Sequence, residues 1–334
     1  MTTANSATYL AEMAVAEEAT PGIAETTPDI YDCFTDDPGI NPVQNVIRDG
    51  CVRGRANLKH VLSNYHIEGS PPMIVDPEGM IGWWLKWVLG GLSSVQEGAT
   101  TAYKHTYTPA DELKTFTLWL LRGGNQQVKV PYGTVLSLEL VQGLDDVLRS
   151  TVRIAGQKDQ MTTDFGSSDY SQLDPFHNTM LGVSIAGATT GQAAQAHNTV
   201  ITIDNGIDLD DGRTHGSRYY NAVIPGKRNV SGSNDIWFDD DIEYERFWGA
   251  AATSSPLDVG TPVPLIFTWD TGIEAGTGYN YQLVVTIPAA IYESTTVNLS
   301  GNRIVQHIEW YAENDPITSR EVLVELTNTK TGYT

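Results

Sequence analysis

The stretch from Arg55 to Trp84 occurs a second time, from Arg218 to Phe247, displaced by 163 positions (218 − 55) without a gap. Arg55 falls on Arg218, Gly69 on Gly232, Ser70 on Ser233 and Asp76 on Asp239. Apolar positions follow suit: Val61 with Ile224, Ile67 with Val230, Met73 with Ile236, Val75 with Phe238, and Trp84 with Phe247. Each copy reads as an extended strand, a turn ending in Gly-Ser, a second strand, an Asp, and an amphipathic helix. A second pair of anchors, Val152–Asp159 and Ile308–Asp315, stands 156 positions apart (308 − 152), so the intervening loops differ in length. A period this long excludes a solenoid and constrains the chain to two tandem copies of one unit.

With 334 residues there is room for two domains that each bury a core. The 31 Gly and 16 Pro lie between Val-, Thr- and Tyr-rich runs, which favours strands and turns over a helical bundle. The expected fold is mainly β with minor α: two tandem β-sandwich or barrel domains, each flanked by a short helix. The expected division is an N-terminal arm over 1–45, a first domain over 46–156 and a linker over 157–173. A second domain with a C-terminal extension covers 174–334. Residues 1–45, rich in Thr, Ala, Glu and Pro, read as an arm that orders only against neighbours or as a simply disordered segment.

In the first domain, Ala56–Ile67 and Pro71–Val75 read as strands around Gly69-Ser70. Asp76-Pro77 reads as a helix start, with Asp as N-cap and Pro at the first helical position, and Gly90-Gly91 as its end. Met80, Trp83, Trp84 and Trp87 recur at three- and four-residue spacing and form an apolar face, a core or subunit contact more often than a ligand platform. Strands are expected at Tyr103–Pro109, Phe116–Leu121, Val128–Val130, Thr134–Val141 and Val147–Ala155. In the second half they are expected at Phe176–Ile185, Thr199–Ile203, Val263–Asp270, Tyr279–Pro288, Ile304–Tyr311 and Glu321–Thr327. Asp239-Asp240-Asp241 suits the positive end of the second helix.

The formal net charge of −21 makes the chain a poor candidate for gripping nucleic acid, because phosphate contacts need Lys and Arg. Solubility, a high-salt setting, or a surface that repels DNA are compatible readings of that acidity. No apolar run approaches the ~20 residues that span a bilayer, and the Glu-bearing N-terminus lacks a basic n-region, so no secretion signal is expected. Cys33 and Cys51 read as two reduced thiols or one bridge. Asp208, Asp210, Asp211 and Gly212 match an EF-hand only loosely, so a solvated acidic turn is expected. His105, in an alternating strand, reads as exposed or hydrogen-bonded. The chain has no G-x-S-x-G, H-E-x-x-H, P-loop or G-x-G-x-x-G after a strand. No catalytic, cofactor-binding or metal-binding residue is expected, and the chain is read as not an enzyme.

Asp76–Gly90 (DPEGMIGWWLKWVLG), Tyr103–Pro109 (YKHTYTP), Leu113–Leu118 (LKTFTL) and Val322–Lys330 (VLVELTNTK) resemble the major tail tube proteins of tailed phages and archaeal viruses. The resemblance covers most of residues 46–330 and departs in the acidic arm and in Gln157–Leu173. It implies a β fold flanked by a helix, subunits assembled as rings stacked into a tube, and, for a tandem duplication, a trimer with six quasi-equivalent domains. It also implies a virion tail component made in the host cytoplasm. Its expected partners are a tape measure protein inside the growing tube, terminator and baseplate or distal tail proteins at the ends, and genomic DNA that passes without specific binding. No membrane is involved. Helices Pro77–Leu89 and Asp240–Trp248 are expected on the outer side of each barrel, with the arm 1–45 and loop Gln96–Ala102 between rings. The competing expectations are a two-domain carbohydrate- or receptor-binding virion protein whose Trp residues face a ligand, and a baseplate or terminator ring protein.

Overall fold

The computed structural model describes residues 11–48, 60–123, 126–167, 170–190, 195–300 and 302–333. The first half of the chain contributes β1 (Glu12–Glu17), β2 (Ile30–Cys33), β3 (Asn41–Arg48), β4 (His60–Gly69), β5 (Pro72–Ile74), α1 (Ile81–Leu89), β6 (Gly90–Gln96) and β7 (Tyr103–Pro109). It continues with β8 (Phe116–Arg122), β9 (Gln126–Gln142), β10 (Arg149–Gly156) and β11 (Gln160–Met161). The second half contributes β12 (Leu181–Ile185), β13 (Ala196–Asp204), β14 (Asn229–Trp237), α2 (Ile242–Phe247), β15 (Val263–Gly276), β16 (Tyr279–Asn298), β17 (Val305–Ala312) and β18 (Leu323–Asn328). The chain is mainly β, and every strand pairing is antiparallel.

The two halves repeat each other in register as well as in order. Ile154 of β10 faces Gly69 of β4, and Trp310 of β17 faces Gly232 of β14, which keeps both sequence offsets. Against β10, strand β9 skips Leu136 between Val135 and Ser137; against β17, strand β16 skips Glu293 between Tyr292 and Ser294. A second irregularity also recurs. Phe116 and Leu118 face Gly133 and Val130, while Val263 and Leu265 face Ala290 and Ile287. Pro131 and Pro288 sit in this bulge, where the extra residues need no ladder N–H. β1 lies on β8 as β12 lies on β15, with Val15 facing Leu118 and Ile185 facing Leu265.

Three expectations change. The gap-free offset of 163 holds from Ile67/Val230 to Val75/Phe238. Before it, residues 221–228 are irregular and Ile224 is exposed, whereas Val61 lies in β4; Arg55 lies outside the described residues. Gly69-Ser70 is not a reversing turn: Gly69 and Pro72 face Ile154 and Thr151, so β4 and β5 follow one register along β10, and β14 runs unbroken through Gly232-Ser233. Finally, β1 and β2 of the expected arm pair within the chain, and Met13, Ala14 and Val15 are fully buried. Their run of small and apolar residues was too short to register as a periodic pattern.

The helices differ from expectation at their starts. Met80 occupies the N-cap of α1, and Asp76 instead accepts the Glu78 N–H in a turn at 3.0 Å. Gly90 closes α1 at φ +86°. All nine residues of α1 are buried, so it does not lie on an outer surface. Trp87 of the helix stacks on Phe116, Trp84 meets both rings edge-on, Tyr333 meets Trp83 edge-on, and the Lys86 ammonium is paired with Glu17 and donates to Tyr333 O. Asp241 caps α2 without a side-chain hydrogen bond, and Asp239 is turned away to Arg303 at 3.0 Å.

The recurring glycines serve close approach. Neither Gly69 nor Gly232 has a positive φ, so left-handed backbone is not the reason for them. A Cβ on Gly232 would stand 2.2 Å from Val200 O and 2.4 Å from the Trp310 ring; one on Gly69 would stand 2.3 Å from Ile40. Gly232→Ala is therefore expected to cost about 1–3 kcal/mol through overpacking, read as a lower urea midpoint. Gly260→Ala, with open space around it, should stay within about 0.5 kcal/mol of the parent.

Candidate assembly surfaces

The residues that suggested ligand chemistry are spent inside the fold. Trp83, Trp84 and Trp87 belong to the core. His105 is fully buried. Asn328 donates its amide to Pro77 O and Tyr333 Oη, which leaves its Oδ1 to accept from His105 Nε2 at 2.9 Å; the Ser94 hydroxyl meets His105 Nδ1 at 2.8 Å. Both ring nitrogens are used by a neutral imidazole, and burial holds its pKa below the usual value. Asp208 accepts the Asp210 N–H, and Asp210 pairs with Arg213 at 2.7 Å, which makes this cluster a turn. Loop Gln96–Ala102 is tied to β15 by a hydrogen bond from Thr101 Oγ1 to Ala275 O at 2.5 Å. Cys33 is exposed, and Cys51 lies outside the described residues.

Glu18 and Asp32, which no sequence pattern marks, are withdrawn from solvent, Glu18 almost fully and Asp32 in part, as is Asp76. Glu18 accepts the N–H groups of Gly22 and Tyr132 at 2.7 Å each, and the hydroxyls of Thr115 at 2.8 Å and Thr117 at 3.0 Å. It thereby holds the bulge of β9, where Tyr132 takes φ +55°. Burial outweighs these donors and raises its pKa. Asp32 and Asp76 share a cleft of about 440 Å³ with Glu78, Ser171 and Lys330, where β2, the turn before α1 and the C-terminal segment meet. Burial, with Asp76 adding repulsion, pushes Asp32 up to about 7. Burial raises Asp76 as well and lowers Lys330. A carboxyl titrating near neutrality in a cleft is a common mark of acid–base catalysis. Here it lies with a second carboxyl and an ammonium where the two chain ends meet, and the described lining also carries the Cys33 thiol and the Ser171 hydroxyl but no imidazole.

Cations are drawn into specific pairs: Lys86 with Glu17, Lys104 with Glu325, Lys129 with Asp164, Arg228 with Glu321, and Arg246 with Glu243. The excess of 41 acidic over 20 basic side chains is thus left to the surface. Against that background two free strand edges carry uncharged stretches, residues 41–47 of β3 and 294–298 of β16. All eight residues of β3 are exposed, and among the described residues β3 pairs only with β4. Among the described residues the last part of β16, Ser294–Asn298, pairs only with β17.

A raised carboxyl pKa stabilises the fold below the unfolded value and loses that contribution as pH climbs through the folded value. For Asp32 the loss falls between about pH 4 and 7. Asp32→Asn, which mimics the protonated form, is expected to stabilise the protein at pH 8 by on the order of 1–3 kcal/mol, a range that allows for the partial exposure of the carboxyl. It should also flatten the dependence of Tm on pH between 5 and 8, measured by thermal melts at each pH.

The sequence model of the family described as phage tail tube protein matches residues 8–313. No curated protein matches the chain. The match spans most of both repeated halves, including the strands whose edges remain open, and on that ground the chain belongs to the phage tail tube protein family.

Proposed function

We propose that this protein is a structural subunit of a viral tail tube, that three chains close into a ring with six quasi-equivalent positions, and that rings stack into a channel for genome ejection. The observation that carries the reading is the coincidence of the family match with two internal copies sharing registers and bulges. Six similar positions per ring then require three chains. Each copy acts as one tail tube domain. The second runs over 174–334 after a linker at 157–173, and the first, given the β1/β12 correspondence, takes in β1 as well as 46–156. The uncompensated acidic surface suits a lumen past which DNA slides without adhering, and it also suits a salt-rich setting. The protein's role is structural and not catalytic. Its partners are its own copies, a tape measure protein during assembly, and terminator and baseplate proteins at the ends. It gathers in the host cytoplasm before entering the virion.

Negative-stain electron microscopy of the purified protein, from low to molar salt and across concentration, tests this. Rings or striated tubes with a six-fold outline are expected, with assembly favoured by salt that screens the acidic chains. A chain that stays monomeric under every condition would count against the proposal.

A further inference from the structure

Resting on that tube reading, we infer that β3 of one chain adds to the free edge of Ser294–Asn298 on β16 of the next, in the register that β13 already shows against β9 within each chain. The template is internal. β13 is sandwiched between β14 and β9, with Thr202 facing Glu139, Ile203 facing Leu138 and Asp204 facing Ser137. By register on the neighbouring strand, β3 is the counterpart of β13: Asn41 faces Glu68 of β4 as Thr202 faces Ser231 of β14. By the two shared bulges, β16 is the counterpart of β9: Ser294 stands where Ser137 stands, beside the skipped residue.

Each counterpart lacks the partner that its template has. Residues 134–138 of β9 are buried, whereas none of residues 293–298 of β16 is. β13 buries Ile203, while its counterpart Pro42 in β3 is exposed. Transferring the template gives Asn41 opposite Thr296, Pro42 opposite Thr295 and Val43 opposite Ser294. The free edges of β6 and β12 offer no such template between halves: the β12 edge corresponds to the β1 edge that β2 covers within the first half, and β6 has no counterpart in the second half among the described residues.

Charge points to the same two edges. Residues 38–47 and 294–302 carry no ionisable side chain, in a chain of net charge −21. Two strongly acidic copies approach at least cost where both surfaces are neutral. Pairing of backbone groups there also satisfies a row of N–H and C=O groups that an edge strand leaves open. The contact is head-to-tail: the step from first to second half within a chain is repeated from second half to first half between chains. Such a heterologous contact closes into a ring when its rotation permits.

Paired cysteines test the register. In a background carrying Cys33→Ser and Cys51→Ser, the combinations V43C with S294C and N41C with T296C place thiols on directly opposed residues, where Cβ atoms lie about 4.5–5.5 Å apart. N41C with S294C is the diagonal control, about 7–8 Å apart. Oxidation of assembled rings should give covalent dimers and trimers for at least one opposed pair, reversible by reductant, and little for the control. Rings that form in these variants without inter-chain cross-links at either opposed pair would overturn the register while leaving the tube reading standing. Absence of rings in the parent protein itself would overturn the tube reading, and this inference with it.

Discussion

The bulge around Pro131 and Pro288 is the constraint on which the rest of the structure depends. A strand of 17 or 20 residues cannot stay flat and keep one set of neighbours. By inserting extra residues opposite β8 and β15, the bulge bends β9 and β16 so that each serves two sets of partners. β9 takes β8 and β11 before the bend and β10 and β13 after it. β16 takes β15 and β18 before the bend and β17 after it. The asymmetry between the two, one edge filled and the other open, is a direct result of tandem duplication: the first half has a following copy in its own chain, and the second half does not.

The halves are further locked by groups that are costly to bury alone. β18 pairs with β16 of its own half and with β7 of the other, and the tail beyond it brings Tyr333 over α1. Lys86 sits inside the core only because Glu17 from β1 and the carbonyl of Tyr333 converge on it. A buried ammonium is tolerable when it is paired and hydrogen-bonded. Residues from the first strand, the first helix and the last ordered segment thus meet at one point. Glu18, one residue after Glu17, spends its oxygens on the β9 bulge. Asp32 and Asp76 face Lys330 nearby. Ionisable residues thus bring distant segments together.

Much of the repeat was legible in the sequence, and the limits of that legibility have physical causes. Gly69/Gly232 and the close of β10/β17 stood out because backbone crowding and strand endings restrict residue choice. The same logic applies at Val130-Pro131 and Ile287-Pro288, where a β-run interrupted by proline in both halves marks the bulge. The helix starts were misplaced because Asp-Pro suits a turn as well as an N-cap, and local sequence does not distinguish them. β1 could not be read at all, since six residues with Met, Ala and Val acquire meaning only once β8 lies beside them.

The sequence by itself determined the β class, the duplication and the surplus of negative charge, because these follow from local residue preferences, spacing and counting. The tertiary structure alone decided that α1 is interior, which carboxyls are buried, and which strand edges are left without partners. Those depend on contacts between residues far apart in the chain, such as Lys86 with Tyr333 and Thr202 with Glu139. No local pattern encodes such pairings; they exist only once the sheets have closed.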